Sequence, residues 1–259
     1  MQRKISCTII TYNEEDRIAR CLNSVRDLVD EIIVVDSGSS DRTIEICRSF
    51  GAKCFHNAWV GYGQQKRFAE DLTAHDWILN LDADEWLTDK TRAQIQNLFR
   101  NKPDDEIYGY QFKIKQVYPG ANKPRLLADY HLYIRLYNKN FCRFPDSAVF
   151  DEVKLDRKNM GFISGPIFHQ SILSIRHLID KNVKYYKLQS KEINKSHPST
   201  IPRIAVEPFT VFFKYYLLKR HFTGGAYGFI VAATIAMLRT YRLIIISSSG
   251  KAKKDLPVR

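Results

Sequence analysis

Apolar residues in the first hundred positions alternate between short unbroken runs and stripes at helical spacing. Ile5 to Thr11, Glu31 to Val35, Lys53 to His56 and Trp77 to Leu81 are runs of strand length, rich in Ile and Val. Between them, Ile18, Cys21, Leu22, Val25 and Leu28 recur at helical spacing. Arg42 to Phe50 reads as a short helix closed by Gly51, with further helices over Gln64 to Leu72 and Thr88 to Phe99. Strands apolar throughout, separated by helices, predict a parallel sheet covered on both faces. After Lys102-Pro103-Asp104-Asp105 the rhythm changes. Tyr110 to Tyr118 and Leu132 to Tyr137 read as strands with no helix after them, joined by a loop over Pro119 to Asp129. This predicts a mixed sheet with an antiparallel portion, to which the strand-like Phe162 to Phe168 adds.

From Ser174 the pattern is helical. Ile175, Leu178, Ile179, Val183, Tyr186 and Leu188 predict one amphipathic helix, and His197 to Pro202 a break. Helices over Phe209 to Arg220 and Tyr227 to Ile246 follow, split by Thr223-Gly224-Gly225, with a frayed tail from Ser247. The longest uncharged apolar stretch, Ala226 to Leu238, is short for a bilayer span and is followed by Arg239 and Arg242, so no transmembrane helix is expected. No signal peptide is expected, because the run Ile5 to Ile10 leads straight into Asn13-Glu14-Glu15-Asp16. The predicted organisation is an α/β domain over 1–170 and a helical region over 171–259.

Charge sharpens that division. Residues 1–150 hold 21 Lys/Arg and 21 Asp/Glu, whereas residues 151–259 hold 19 and 7, which is the whole net charge of +12. A basic appendage suits an anionic surface. In that appendage Phe209, Phe212, Phe213, Tyr215 and Tyr216 lie among Lys214, Lys219 and Arg220, a mixture suited to an anionic membrane interface. A nucleic-acid partner is not expected: the neutral half carries carboxylates at its strand ends, which repel phosphate, and no zinc-finger or RNP-like motif occurs. Five cysteines without a C-x-x-C pair support neither a disulfide framework nor a metal cluster, and fit a reducing compartment.

The candidate chemistry lies at the carboxyl ends of the predicted parallel strands, where open α/β sheets bind ligands. Thr11-Tyr12-Asn13-Glu14-Glu15 follows the first strand, Asp36-Ser37-Gly38-Ser39-Ser40-Asp41-Arg42-Thr43 the second, and Asp82-Ala83-Asp84-Glu85 the fourth. Three carboxylates within four residues at the end of a buried strand repel one another unless a cation meets them. Strand alternation would place Asp82 and Asp84 on one side of an extended segment. Oxygen ligands favour Mg2+ or Mn2+ over zinc, and such a cation would hold a phosphate.

These three motifs, in this order, resemble those of family-2 glycosyltransferases with a GT-A fold. A closer resemblance is to bacterial lipopolysaccharide-core β-1,4-glucosyltransferases. It rests on Gly61-Tyr62-Gly63-Gln64-Gln65-Lys66-Arg67, Trp77 to Glu85, Arg135-Leu136-Tyr137, Gly165-Pro166-Ile167-Phe168-His169 and Gly224-Gly225-Ala226-Tyr227-Gly228. The resemblance implies a Rossmann-like mixed sheet flanked by helices, and transfer of a hexose, glucose first, from a UDP-sugar to a lipid-linked inner-core heptose. It implies that Thr11, Asn13, Glu14, Asp36, Asp82 and Ala83 line the donor, with Lys66 or Arg67 adding positive charge. Asp84 and His169 would hold the metal. Where that group carries Val-His-Glu, this chain has Val149-Phe150-Asp151-Glu152-Val153, so Asp151 or Glu152 would be the base. The enzyme would be inverting and peripheral on the cytoplasmic face of the inner membrane. Capsule, exopolysaccharide or protein acceptors are the alternative for the same chemistry, and a non-catalytic sugar-nucleotide-binding module is the alternative of a different class.

Overall fold

The computed structural model describes residues 4–101, 104–148, 150–192 and 200–252. The chain divides into two compact units: Met1–Gln116 with Tyr130–Gln170, and Val117–Asp129 with Ser171–Arg259.

The first unit is built on an eight-stranded mixed sheet of order β3-β2-β1-β4-β7-β6-β8-β5. Strands β1 (Ile5–Thr11), β2 (Glu31–Asp36), β3 (Lys53–His56) and β4 (Trp77–Asp82) form its parallel half. Helices α1 (Ile18–Val25), α2 (Thr43–Ser49) and α3 (Tyr62–Asp71) connect them. Every residue of β1 is buried, as expected of a strand covered on both faces. Ile18, Cys21, Leu22 and Val25, the stripe that predicts α1, all join the main core. The short β5 (Glu85–Leu87) leads into α4 (Asp89–Arg100), which Thr88 caps through its hydroxyl at the Thr91 amide. Strands β6 (Gly109–Gln116), β7 (Tyr130–Asn138) and β8 (Met160–His169) complete the sheet. β7 runs antiparallel to both β4 and β6, whereas β6 and β8 are parallel.

Register creates the site. Thr11 lies opposite Asp36, and Ile10 opposite Asp82, so the three motif-bearing strands end in one row. At the other end of the sheet, His169 on β8 sits between Glu85 on β5 and Gln116 on β6.

The second unit contains α5 (Ile175–Glu192), α6 (Thr200–Phe213) and α7 (Gly225–Ala252). Leu178, Tyr186 and Leu238 form its small core. Two expectations are corrected here: the start of α6 and the reading that no helix is long and apolar enough to cross a membrane. α6 begins at Thr200 rather than Phe209, because Pro202 falls in its first turn, where a missing N–H is harmless. It then passes into a π-helical turn over Lys214–Leu218. Thr223-Gly224-Gly225 does split the helices, through a 3-10 turn (His221–Gly224) that runs into α7. α7 runs through Arg239 and Arg242, as the helix expected over Tyr227 to Ile246 does, and the Arg242 guanidinium lies over the Tyr186 ring. His221–Ile246 is therefore long and apolar enough to cross a membrane, contrary to the reading from the sequence. The helix runs on to Ala252 through the start of the expected tail, while residues 253–259, and 193–199 of the expected break, lie outside the described residues.

Candidate active site

The two loops after β1 and β2 are joined by local hydrogen bonds, two of which, from the Glu15 amide to Asp41 and from the Arg42 amide to Glu15, go to carboxylates. Asn13, at φ 53°, donates its amide to Ser39 Oγ and accepts the Ser40 amide on its side-chain oxygen, both at 2.8 Å. The Glu14 amide donates to Thr43 Oγ1 at 2.7 Å. Asp36 is buried and closes its own loop: Oδ2 accepts the Gly38 and Ser39 amides at 2.9 and 2.8 Å, and Oδ1 accepts the Ser39 hydroxyl. Gly38 has φ 104°, which a side chain would strain. The Thr11 hydroxyl is buried and has no partner among the described residues, leaving a donor for something the protein does not supply.

Beyond β4 the site is held by ions. Lys66, on α3 and only 1% exposed, places its ammonium 2.8 Å from Asp82 Oδ1 and 2.9 Å from Asp151 Oδ2. Arg135 on β7 reaches Asp82 Oδ2 at 2.9 Å, Glu85 at 2.6 Å and Asn80 at 3.2 Å. Burial alone would raise the Asp82 pKa, but Arg135 and Lys66 outweigh it and hold that carboxyl far below its ordinary range. Burial dominates for Glu85, whose pKa is raised despite Arg135. Arg135 stays charged because Asp82 and Glu85 together overcome its own desolvation.

Asp84 does not stand beside Asp82 on an extended segment. Ala83 and Asp84 form a turn, which lets Glu85 enter the core and pair with β8. Asp82 faces Lys66 and Arg135, while Asp84 accepts from His169 Nε2 at 3.2 Å and from Arg17 at 3.4 Å. Burial opposes charge on both Asp84 and His169, yet their pairing wins: Asp84 is shifted down and His169 up. Gln116 holds the other imidazole nitrogen at 2.9 Å.

Most of the residues expected from the sequence lie along this edge, and four stand apart. Ala83 packs into the core and offers only backbone. Glu14 is clasped by Arg17 through both oxygens. Arg67 turns to the Phe144 carbonyl at 2.9 Å, and Glu152 is exposed, whereas Asp151 joins the ionic cluster. Arg17, Gln65, Glu85 and Arg135 carried no assigned role in the sequence. Arg135 had a signal: a cation between Ile134 and Leu136 in an apolar strand must find buried partners.

One face of α3 braces the segment that carries Asp151. The amides of Tyr62 and Gly63 donate to the carbonyls of Ala148 and Ser147, both at 3.1 Å. A Cβ on Gly63 would lie 2.4 Å from the Phe150 carbonyl oxygen, so only glycine allows this approach. Farther along, fully buried Glu70 accepts from Tyr137, Arg143 and the Phe144 amide.

Residues 6–157 match the family described as Glycosyl transferase family 2. The chain belongs to this family. An uncharacterized glycosyltransferase of Rickettsia bellii is 38% identical over 253 residues, covering 94% of this chain and 86% of that one. The lipopolysaccharide core biosynthesis glycosyltransferase LpsC of Rhizobium meliloti is 27% identical over 240 residues, covering 90% and 88%. Among solved structures, glucosyl-3-phosphoglycerate synthase of Mycobacterium tuberculosis matches with a TM-score of 0.34 and 25% identity over 46% of this chain and 45% of that one. The mixed sheet with flanking helices is the GT-A fold of family-2 glycosyltransferases, here followed by C-terminal helices.

Proposed function

We propose that this family-2 glycosyltransferase moves a hexose, glucose first, from a UDP-sugar to a heptose of the lipopolysaccharide or lipooligosaccharide inner core, with inversion. The observation that carries this reading is the Lys66 ammonium held between Asp82 and Asp151. It joins the strand-end carboxylate row to a candidate base through one buried charge. The similarity to LpsC supports the acceptor class.

In this reading Thr11, Asn13 and Asp36 hold the uridine, and Asp82 the ribose side, while Glu14 stays with Arg17. Asp84 and His169 suit a divalent cation. One carboxylate and one imidazole at 3.2 Å are a sparse set, but Mg2+ and Mn2+ draw their remaining ligands from water and phosphate. Asp84 and His169 would hold the ion, and when bound it neutralises charge on the diphosphate. An acceptor hydroxyl is a poor nucleophile at neutral pH. Asp151 takes its proton as the oxygen attacks the anomeric carbon from the side opposite UDP, and the bond from that carbon to the diphosphate breaks. The Lys66 and Arg17 cations lie where negative charge accumulates on the departing group.

Residues 1–170 serve as the transferase domain and residues 171–259 as a basic region for an anionic membrane at the cytoplasmic face of the inner membrane. Phe209, Phe213, Leu217 and Leu218 are exposed beside exposed Lys214 and Arg220, which supports that role. The deciding experiment follows UDP release from a panel of UDP-sugars with heptose-containing core acceptors, with and without Mg2+ or Mn2+. Metal-dependent transfer from one donor, lost in Asp84→Ala, supports the reading. UDP release indifferent to metal and to Asp84 would overturn it.

A further inference from the structure

A cavity of about 360 Å3 opens between β6, β7 and the segment that follows Phe150. Its wall includes Gln111, Tyr133, Arg135, Asp151, Glu152 and Arg157. Two of these already belong to the site: Asp151 through Lys66, and Arg135 through Asp82 and Glu85. Of the other four, Tyr133 carries the Arg135 guanidinium over its ring and packs against the core, whereas Gln111, Glu152 and Arg157 are uncommitted. Among the described residues, the side chains of Gln111, Tyr133, Glu152 and Arg157 hydrogen-bond to no other protein group. An amide, a phenol, a carboxylate and a guanidinium that share one cavity offer several donors and acceptors that no protein group occupies.

We propose that this cavity is the acceptor pocket and that it takes a single aldose ring of a saccharide, its hydroxyls held by Gln111, Glu152 and Arg157 and its face set against Tyr133. The proposal rests on the transferase reading above and adds the place where the acceptor binds and the residues that hold it. Hydroxyls that both donate and accept match the polar groups, and the C–H faces of a sugar ring match Leu132, Ile134 and Val153 on the same wall. The volume is at the low end for small-molecule sites, which favours one ring over an extended peptide. Asp151 supplies the link to chemistry. Its Oδ2 is taken by Lys66, while Oδ1 has no hydrogen-bond partner among the described residues, so a hydroxyl in the cavity can meet it there. Glu152 is accordingly an acceptor-binding group and not the base.

The test uses the full chain with UDP and Mg2+. Methyl glycosides of glucose, galactose, mannose and a heptose are screened by saturation-transfer NMR, and acceptor KM is measured for the transfer reaction. At least one glycoside should bind the wild type. Gln111→Trp, which fills the cavity, should abolish that signal with an unchanged melting curve. Arg157→Ala and Glu152→Gln should each raise acceptor KM about tenfold or more, the loss of one charge-assisted hydrogen bond, with kcat little changed. A glycoside signal that survives Gln111→Trp, or wild-type KM in all three variants, overturns the pocket and leaves the transferase reading standing. A wild-type enzyme that turns over no UDP-sugar takes down both.

Discussion

The two ends of the catalytic edge are held by different forces. After β1 and β2, the loops are tied by short hydrogen bonds between backbone amides and the side chains of Asn13, Asp36, Ser39 and Thr43. From β4 across to β7 and the Asp151 segment, buried charges hold one another: Lys66 with Asp82 and Asp151, Arg135 with Asp82 and Glu85. Loops of the first kind, closed by local bonds to backbone amides, would present a preorganised surface to the nucleoside of the proposed donor. The ionic end carries charges that an incoming diphosphate or hydroxyl can exchange for its own. A fixed recognition end and an exchangeable chemical end suit an enzyme that grips one half of its donor and expels it after breaking the other.

The largest expected effect is at the ionic end. Asp151→Asn should lower kcat roughly 10²–10⁴-fold, the usual worth of a positioned base, while UDP affinity stays within about twofold. Steady-state kinetics and calorimetry with UDP separate the two. If Glu152→Gln proves the more damaging to kcat, the base is Glu152 and the cavity loses its role. Lys66→Met comes next. It leaves Asp151 without its cation and Asp82 with Arg135 alone, so urea unfolding should show a loss of about 3 kcal/mol, the lower end of the scale for breaking a buried ion pair because both carboxylates reach solvent. Gln65→Ala, one residue away, removes neutral hydrogen bonds to Ser37 and Asn57 and should lose only about 1–2 kcal/mol. Equal losses would erase the contrast between the two ends.

Gly63→Ala probes how the exchangeable end is positioned. The added methyl meets the Phe150, Pro145 and Ser147 carbonyl oxygens at 2.4, 2.5 and 2.8 Å, so the loop before Asp151 must shift. A displacement near 1 Å is enough to lower kcat roughly 10–100-fold. UDP affinity should hold, since the loops that grip uridine lie on other strands. A variant with normal kcat would show that α3 does not brace Asp151.

How much of this was legible in the sequence follows the same division. β1, β2 and β4 announce themselves as unbroken apolar runs, and their polar ends form the row that register then lines up. The ionic end was harder to read because its partners are far apart in sequence and its elements are short. β5 has three residues, too few for any periodicity, so nothing signalled that Glu85 would turn inward to meet β8. Lys66 and Arg67 are adjacent, yet about 100° apart on a helix, so one enters the site and the other braces a carbonyl. Choosing between them needs the helical phase of α3. That phase is obscured because the face in question buries Lys66 and Glu70 instead of apolar residues. α7 was legible as a helix; what misled was its span, because Arg239 and Arg242 end the uncharged apolar stretch although His221–Ile246 is apolar enough to cross a membrane with both included.

The smallest effect belongs to the fixed end and gives the cleanest comparison. Asp36→Asn replaces an acceptor of three hydrogen bonds by a group that can donate where Gly38 and Ser39 also donate. UDP affinity should fall about tenfold, near 1.4 kcal/mol, with kcat at saturating donor nearly unchanged. The discriminating variable is salt. A loop closed by local hydrogen bonds is screened little, so the ratio of wild-type to variant affinity should be the same at low and at high ionic strength. If that ratio shrinks as salt rises, Asp36 acts as a long-range charge, and both ends of the edge work by the same electrostatics.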